Sequence, residues 1–189
     1  MTSDRQLQPS VVTPDGKQLV FWPQGADNDM MVLDLSGDHT PRLLPPKTSF
    51  FERHPALSSD GRWIAFESNE PGYRTILVRP FPDTGRARWQ ISTEAGTRPL
   101  WAPNGRELYY VSPRGELMSV PVQTAPDFVA GKPLALFDAV DPRYVNRPFD
   151  ITSDGARFVF AKELEDPSKA QFVVVQNWFE ELKARVPIK

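Results

Sequence analysis

Four stretches of the chain share one pattern: a few apolar positions, a polar turn, then an almost unbroken apolar run. They are VVTPDGKQLVFW (11–22), LSSDGRWIAFES (57–68), LWAPNGRELYYVS (100–112) and ITSDGARFVFAK (151–162). The turn glycines Gly16, Gly61, Gly105 and Gly155 are 45, 44 and 50 residues apart, the last interval lengthened by the insert DAVDPRYVN. A period of this size marks a repeat architecture.

Each turn is Asp-Gly or Asn-Gly, dipeptides that tolerate the positive φ of a tight hairpin. Apolar strands follow at 19–21, 63–66, 108–111 and 158–160, and third strands at 31–33, 75–78, 117–120 and 172–175. Weaker fourth strands fall at 42–44, 89–91 and 134–137. The central runs are apolar at nearly every position, as in sheets covered on both faces. The pattern predicts an all-β chain of about four β-propeller blades, each of four antiparallel strands, at 9–49, 50–96, 97–140 and 141–178. Helical spacing of Trp178, Leu182 and Arg185 predicts a short C-terminal helix over 178–186, stopped before Pro187.

Composition narrows the function classes. The 20 prolines lie between apolar runs and read as turn punctuation. With 22 basic and 24 acidic residues the net charge is −2, which gives no electrostatic reason for nucleic acid or an anionic membrane as partner. No cysteine is present, so disulfides, thiolate metal sites and thiol nucleophiles are excluded. No run approaches a membrane span, and MTSDRQLQPS lacks the apolar core of an export signal. As written the chain is expected to be cytoplasmic, and extracytoplasmic if it belongs to a longer membrane-anchored chain.

Catalytic motifs are missing. The two histidines, His39 and His54, are not at metal-ligand spacing. There is no Gly-x-Ser-x-Gly elbow, no phosphate-cradling GxxxxGK loop and no kinase signature. The expectation is a chain that is not an enzyme and holds neither metal nor cofactor. Asp15, Asp60 and Asp154 recur once per unit and read as turn formers rather than calcium ligands. Asp27-Asn28-Asp29 and 163–166 read as solvated hairpin tips.

Thr13-Pro14-Asp15-Gly16-Lys17, with looser copies at 58–62, 102–106 and 152–156, resembles the TolB-like, WD40-like (PD40) β-propeller repeat. VRPFPDTGRARWQIST (78–93), TRPLWAPNGRELYYVS (97–112), GELMSVPV (115–122) and VVVQNWFEELK (173–183) resemble the C-terminal propeller of bacterial, acidobacterial-type serine/threonine kinases. That resemblance implies a sensor or scaffold module linked to a kinase domain in the same parent chain. It also leaves room for an accessory propeller of an oligopeptidase-type hydrolase and for a TolB-like periplasmic interaction protein. Propellers of this family have six to eight blades. Four blades therefore imply an incomplete or open propeller, with MTSDRQL as a poor candidate closing strand and open blade edges that favour self-association.

The resemblance implies that the first strand of each unit is innermost. Each such strand has a proline, and the residues before Pro9, Pro55, Pro99 and Pro148 are Gln8, His54, Arg98 and Arg147. These four are expected to converge at a channel mouth suited to a small anion or a carboxylate terminus. The alternative is that each pairs with a neighbouring acid. Trp22, next to Pro23, is the tryptophan expected to be exposed, and Phe50-Phe51 the link expected to touch a partner. Trp63, Trp89 and Trp101 are expected to pack between blades.

Overall fold

The computed structural model of the protein describes residues 7–23, 29–44, 46–138, 149–162 and 171–176. The predicted helix at 178–186, Arg147 and residues 1–6 of the candidate closing strand lie outside the described residues. Within them the chain is all β.

Blade one holds β1 (Leu7–Val12), β2 (Gln18–Pro23), β3 (Met31–Asp34) and β4 (Arg42–Leu43), hydrogen-bonded in chain order. Blade two repeats this with β5 (Glu52–Leu57), β6 (Trp63–Ser68), β7 (Thr75–Pro80) and β8 (Trp89–Gln90). Blade three has β9 (Thr97–Trp101), β10 (Glu107–Val111) and β11 (Glu116–Gln123), with two short segments, β12 (Val129–Ala130) and β13 (Leu134–Asp138), on the outer edge of β11. β13 pairs with Glu116 to Ser119 and β12 with Val122 and Gln123, so one long strand serves two partners where one was predicted. Blade four shows β14 (Phe149–Ile151), β15 (Arg157–Lys162) and β16 (Gln171–Gln176). Leu7 pairs with Pro23 inside blade one, so β1 is spent on its own sheet.

The turn motif explains itself chemically. Ser58 Oγ donates to Asp60 Oδ1 at 2.6 Å and accepts the Trp63 N–H at 3.0 Å, while Gly61, at φ 69°, donates its N–H to Ser58 O. Thr13 with Asp15 and Thr152 with Asp154 repeat the arrangement. These hydroxyls hold Asp15 and Asp154 below the usual carboxylate range. The recurring aspartates are thus engaged by their own turns. Ser58→Ala leaves the buried Trp63 N–H without its acceptor and is expected to cost about 1–3 kcal/mol, read as a shift in urea midpoint.

The core consists of three apolar layers between blades. Ile64 and Phe66 of β6 meet Val20 and Val32 of blade one, while Trp63 and Ala65 meet Leu108 and Tyr110 of blade three. Tyr109 and Val111 of β10 then face Phe149, Phe158 and Phe160 of blade four. Alternate side chains of one strand enter opposite layers, which is why these strands are apolar throughout.

The layer between blades two and three is aromatic. Phe128 lies 5.1 Å from Trp63, 5.2 Å from Trp89 and 6.3 Å from Trp101, ring centroid to centroid. Trp101 Nε1 donates to Ala56 O at 3.1 Å, and Trp63 Nε1 to Thr124 O at 3.2 Å. Segment 124–128 of blade three, between β11 and β12, therefore straps onto blade two.

Candidate functional site

The inner strands begin at the end of the blades opposite the Asp-Gly turns. β5 and β9 each carry a bulge there: register slips between Arg53 and Ala56 against β6, and between Thr97 and Leu100 against β10. His54 and Arg98 occupy the two bulges with φ of 51° and 57°. A side chain held in this left-handed region costs on the order of 1–2 kcal/mol, so its recurrence in successive blades at one point of the repeat reflects surroundings that enforce it.

Counting from the turn glycine separates the four predicted residues into two classes. His54 and Arg98 lie seven residues before Gly61 and Gly105, whereas Gln8 and Arg147 lie eight before Gly16 and Gly155. Position seven in the first unit is Pro9 itself. Gln8 pairs with Trp22 across β2, as Arg53 pairs with Glu67 across β6 and Thr97 with Val111 across β10. The proline was a misleading anchor, because it sits one residue later, relative to the turn, in the second and third units. Arg53 is the structural counterpart of Gln8, and sequence reading missed it for that reason.

Glu67 is the centre of the site. It is 1% exposed, and its Oε1 accepts from His54 Nδ1 and from the Arg98 backbone N–H, both at 2.8 Å. A carboxylate only accepts, so the His54 proton here is on Nδ1. Glu67 thus fastens the bulge of its own blade to the bulge of the next. Blade one makes the same connection with an aromatic: Trp22, six residues after Gly16 as Glu67 is after Gly61, meets the His54 ring edge-on at 5.5 Å.

Trp22 is therefore not the exposed tryptophan expected beside Pro23. It is 4% exposed, because position six after the turn, like Glu67 in blade two, faces the bulge of the following blade. Phe50 and Phe51 are half-buried, and Phe51 lies under two guanidinium groups, Arg53 at 4.6 Å and Arg74 at 5.8 Å. Arg53 also stacks on Trp22 at 5.3 Å.

Pairing with an acid holds for His54 and, among the described residues, not for Arg98. His54 bonds Glu67, but among the described residues the guanidinium groups of Arg53, Arg74 and Arg98 make no ion pair. Arg98 is 3% exposed, and burial lowers its affinity for a proton, with Glu67 opposing that and Arg74 adding to it. The buried Nε atoms of Arg53 and Arg98 and Nε2 of His54 have no hydrogen-bond partner among the described residues.

Glu52, the first residue of β5, is buried at the same end. Burial pushes its carboxyl up to about 7; nearby Arg79 opposes the rise, while Asp29 and Glu70 add to it. Asp29, expected at a solvated tip, is buried and accepts the Thr48 N–H at 3.1 Å. The folded pKa of Glu52 exceeds its unfolded value of 4.5, so its stabilising share is full below that pH and is lost as pH rises through 7. Stability is expected to fall by about 3 kcal/mol between pH 4.5 and 8 from this group. Glu52→Gln should flatten that decline, measured as urea midpoints across the range.

Two grooves lie at the opposite end, between successive Asp-Gly turns. One of 480 Å³ between blades one and two is lined by Asp15, Asp34, Asp60, Lys17 and Phe81 among others, and one of 220 Å³ joins blades three and four. Among the described residues no group of three or more His, Cys, Asp or Glu is placed to hold a metal ion.

No protein-family model and no curated protein matches the chain. Solved structures do. TolB from Acinetobacter baumannii aligns with a TM-score of 0.68 at 15% identity, over 94% of this chain and 42% of that one. The dihydro-heme d1 dehydrogenase NirN aligns at 0.59 and 18% identity, over 89% of this chain and 34% of that one. A puromycin-hydrolyzing peptidase from Mycobacterium tuberculosis aligns at 0.57 and 18% identity, over 90% and 36%. At these identities the likeness is one of fold, a TolB-like β-propeller, and the chain spans less than half the length of each of these proteins.

Proposed function

We propose that this chain is a non-catalytic binding and scaffolding module, the sensor or scaffold end of a larger kinase-linked protein. The observation that carries the binding role is the bulge cluster. Two successive blades hold His54 and Arg98 in a strained backbone conformation around the buried Glu67, next to arginines that make no ion pair among the described residues. Strain repeated at one end of the blades is a cost to folding that a binding surface accounts for. The kinase link is supported by the sequence resemblance of 78–93, 97–112, 115–122 and 173–183 alone.

The test is a peptide-display selection on the immobilised full chain, with recovered peptides measured by calorimetry in solution. Saturable binding by recovered peptides is expected. A selection from which no peptide binds in solution removes the binding role. The parent protein is tested separately, by reading the coding sequence ahead of Met1: a protein-kinase domain in frame supports the link, and a hydrolase domain or an export signal replaces it.

A further inference from the structure

We infer that Arg53 and Arg74, with Arg98 adding charge beside them, form a site for a carboxylate carried by a peptide ligand. The inference rests on the binding role proposed above and names its chemistry.

Arginines in folded proteins ordinarily meet an acid or extend into water. Arg53 and Arg98 do neither among the described residues, and Arg74 extends from the same cluster. Arg53 is half-buried, stacked on Trp22 and Phe51, and its Nε is buried without a partner. Arg74 is exposed and shares the Phe51 ring. Arg98 is buried, feels the charges of Glu67 and Arg74, and among the described residues its guanidinium has only a long 3.5 Å contact to Thr97 Oγ1. Glu67 Oε1 already holds His54 Nδ1 and the Arg98 backbone N–H, so the carboxylate makes no ion pair with a guanidinium, although its charge still favours the cationic form of Arg98.

Three arginines beside the single carboxylate of Glu67 leave an excess of positive charge, and burial heightens the repulsion among them. An incoming anion removes that cost. Stacking on an aromatic face occupies the flat side of a guanidinium and leaves its N–H edge free, the geometry that matches a planar carboxylate with two parallel hydrogen bonds. Trp22 and Phe51 thus serve as the platform that fixes the fork.

The test uses the full chain labelled with nitrogen-15, following arginine Nε–H and the Trp22 indole N–H by NMR. The probes are acetate, acetyl-Ala-Ala-Ala with a free carboxylate, its C-terminal amide, acetyl-Asp-amide and inorganic phosphate. The expected result is a saturable shift at Arg53 and Trp22 with the free-acid tripeptide and little with its amide. Arg53→Gln and Arg74→Gln should each weaken binding roughly tenfold. Both variants should fold, because neither guanidinium makes an ion pair among the described residues. Binding of acetyl-Asp-amide as tight as that of the tripeptide upholds the carboxylate and assigns it to an acidic side chain. Equal shifts with acid and amide, or saturation by phosphate below the acetate concentration, overturn the inference. Display-selected peptides that bind wild type and Arg53→Gln equally overturn this site while leaving the binding role standing.

Discussion

Phe128→Ala is expected to destabilise the protein by about 3–5 kcal/mol, the cost typical of removing a buried aromatic ring from a packed core. Phe128 is 3% exposed and contacts the rings of Trp63, Trp89 and Trp101, so the cavity would open at the centre of the layer between blades two and three. Rigid strands carry the three tryptophans, and the ring arrives on segment 124–128 from outside them. The layer therefore has little freedom to collapse into the space. Thermal unfolding should show Tm lowered on the order of 10 °C. Segment 124–128 should also become the preferred site of limited proteolysis, having lost its anchor on blade two. A Tm within 2 °C or so of wild type, a range set by the usual size of surface-substitution effects, would sink this account of the layer.

Glu67→Ala is expected to cost a similar amount, about 3–5 kcal/mol, by another route. The hydrophobic area lost is small. What is lost is the acceptor for His54 Nδ1–H and the Arg98 N–H, both left in a buried bulge with no substitute. Relief of the strain in the two residues that Glu67 holds in place offsets part of that cost. Glu67→Gln keeps an oxygen able to accept from both donors and should cost about 1–2 kcal/mol. Urea denaturation of the two variants separates the contributions: equal midpoints would mean that charge, not hydrogen bonding, holds the bulges. Hydrogen exchange at the Arg98 amide gives a local readout, since this N–H should lose protection in Glu67→Ala before the blades unfold.

How far the site was legible depended on which signal was used. His54 and Arg98 were found from their prolines, and they do lie together through Glu67. Gln8 and Arg147 were added by the same rule, which counts from a residue that shifts relative to the strand register. Counting from the turn glycine instead puts Arg53 in register with Gln8 and Trp22 in register with Glu67. That signal was in the sequence, in the constant distance between turn and bulge. Phe128 carried no comparable signal, since it falls in a loop outside the repeat.

The sequence by itself determined the blades. Asp-Gly turns at a steady period set the hairpins, hydroxyls three residues before the glycines of units one, two and four close those turns, and strands apolar at every position require a layer on each face. These are local rules, each satisfied within a dozen or so residues of chain. Tertiary structure alone decided which side chains meet at the bulge end of the blades: that Trp22 is covered by His54, that Glu67 spans two bulges, and that Arg53 and Arg74 share one ring. Those contacts join residues up to 32 positions apart, and the ones that cross between blades, Trp22 with His54 and Glu67 with Arg98, come from the stacking of one sheet on the next, a geometry no local pattern encodes.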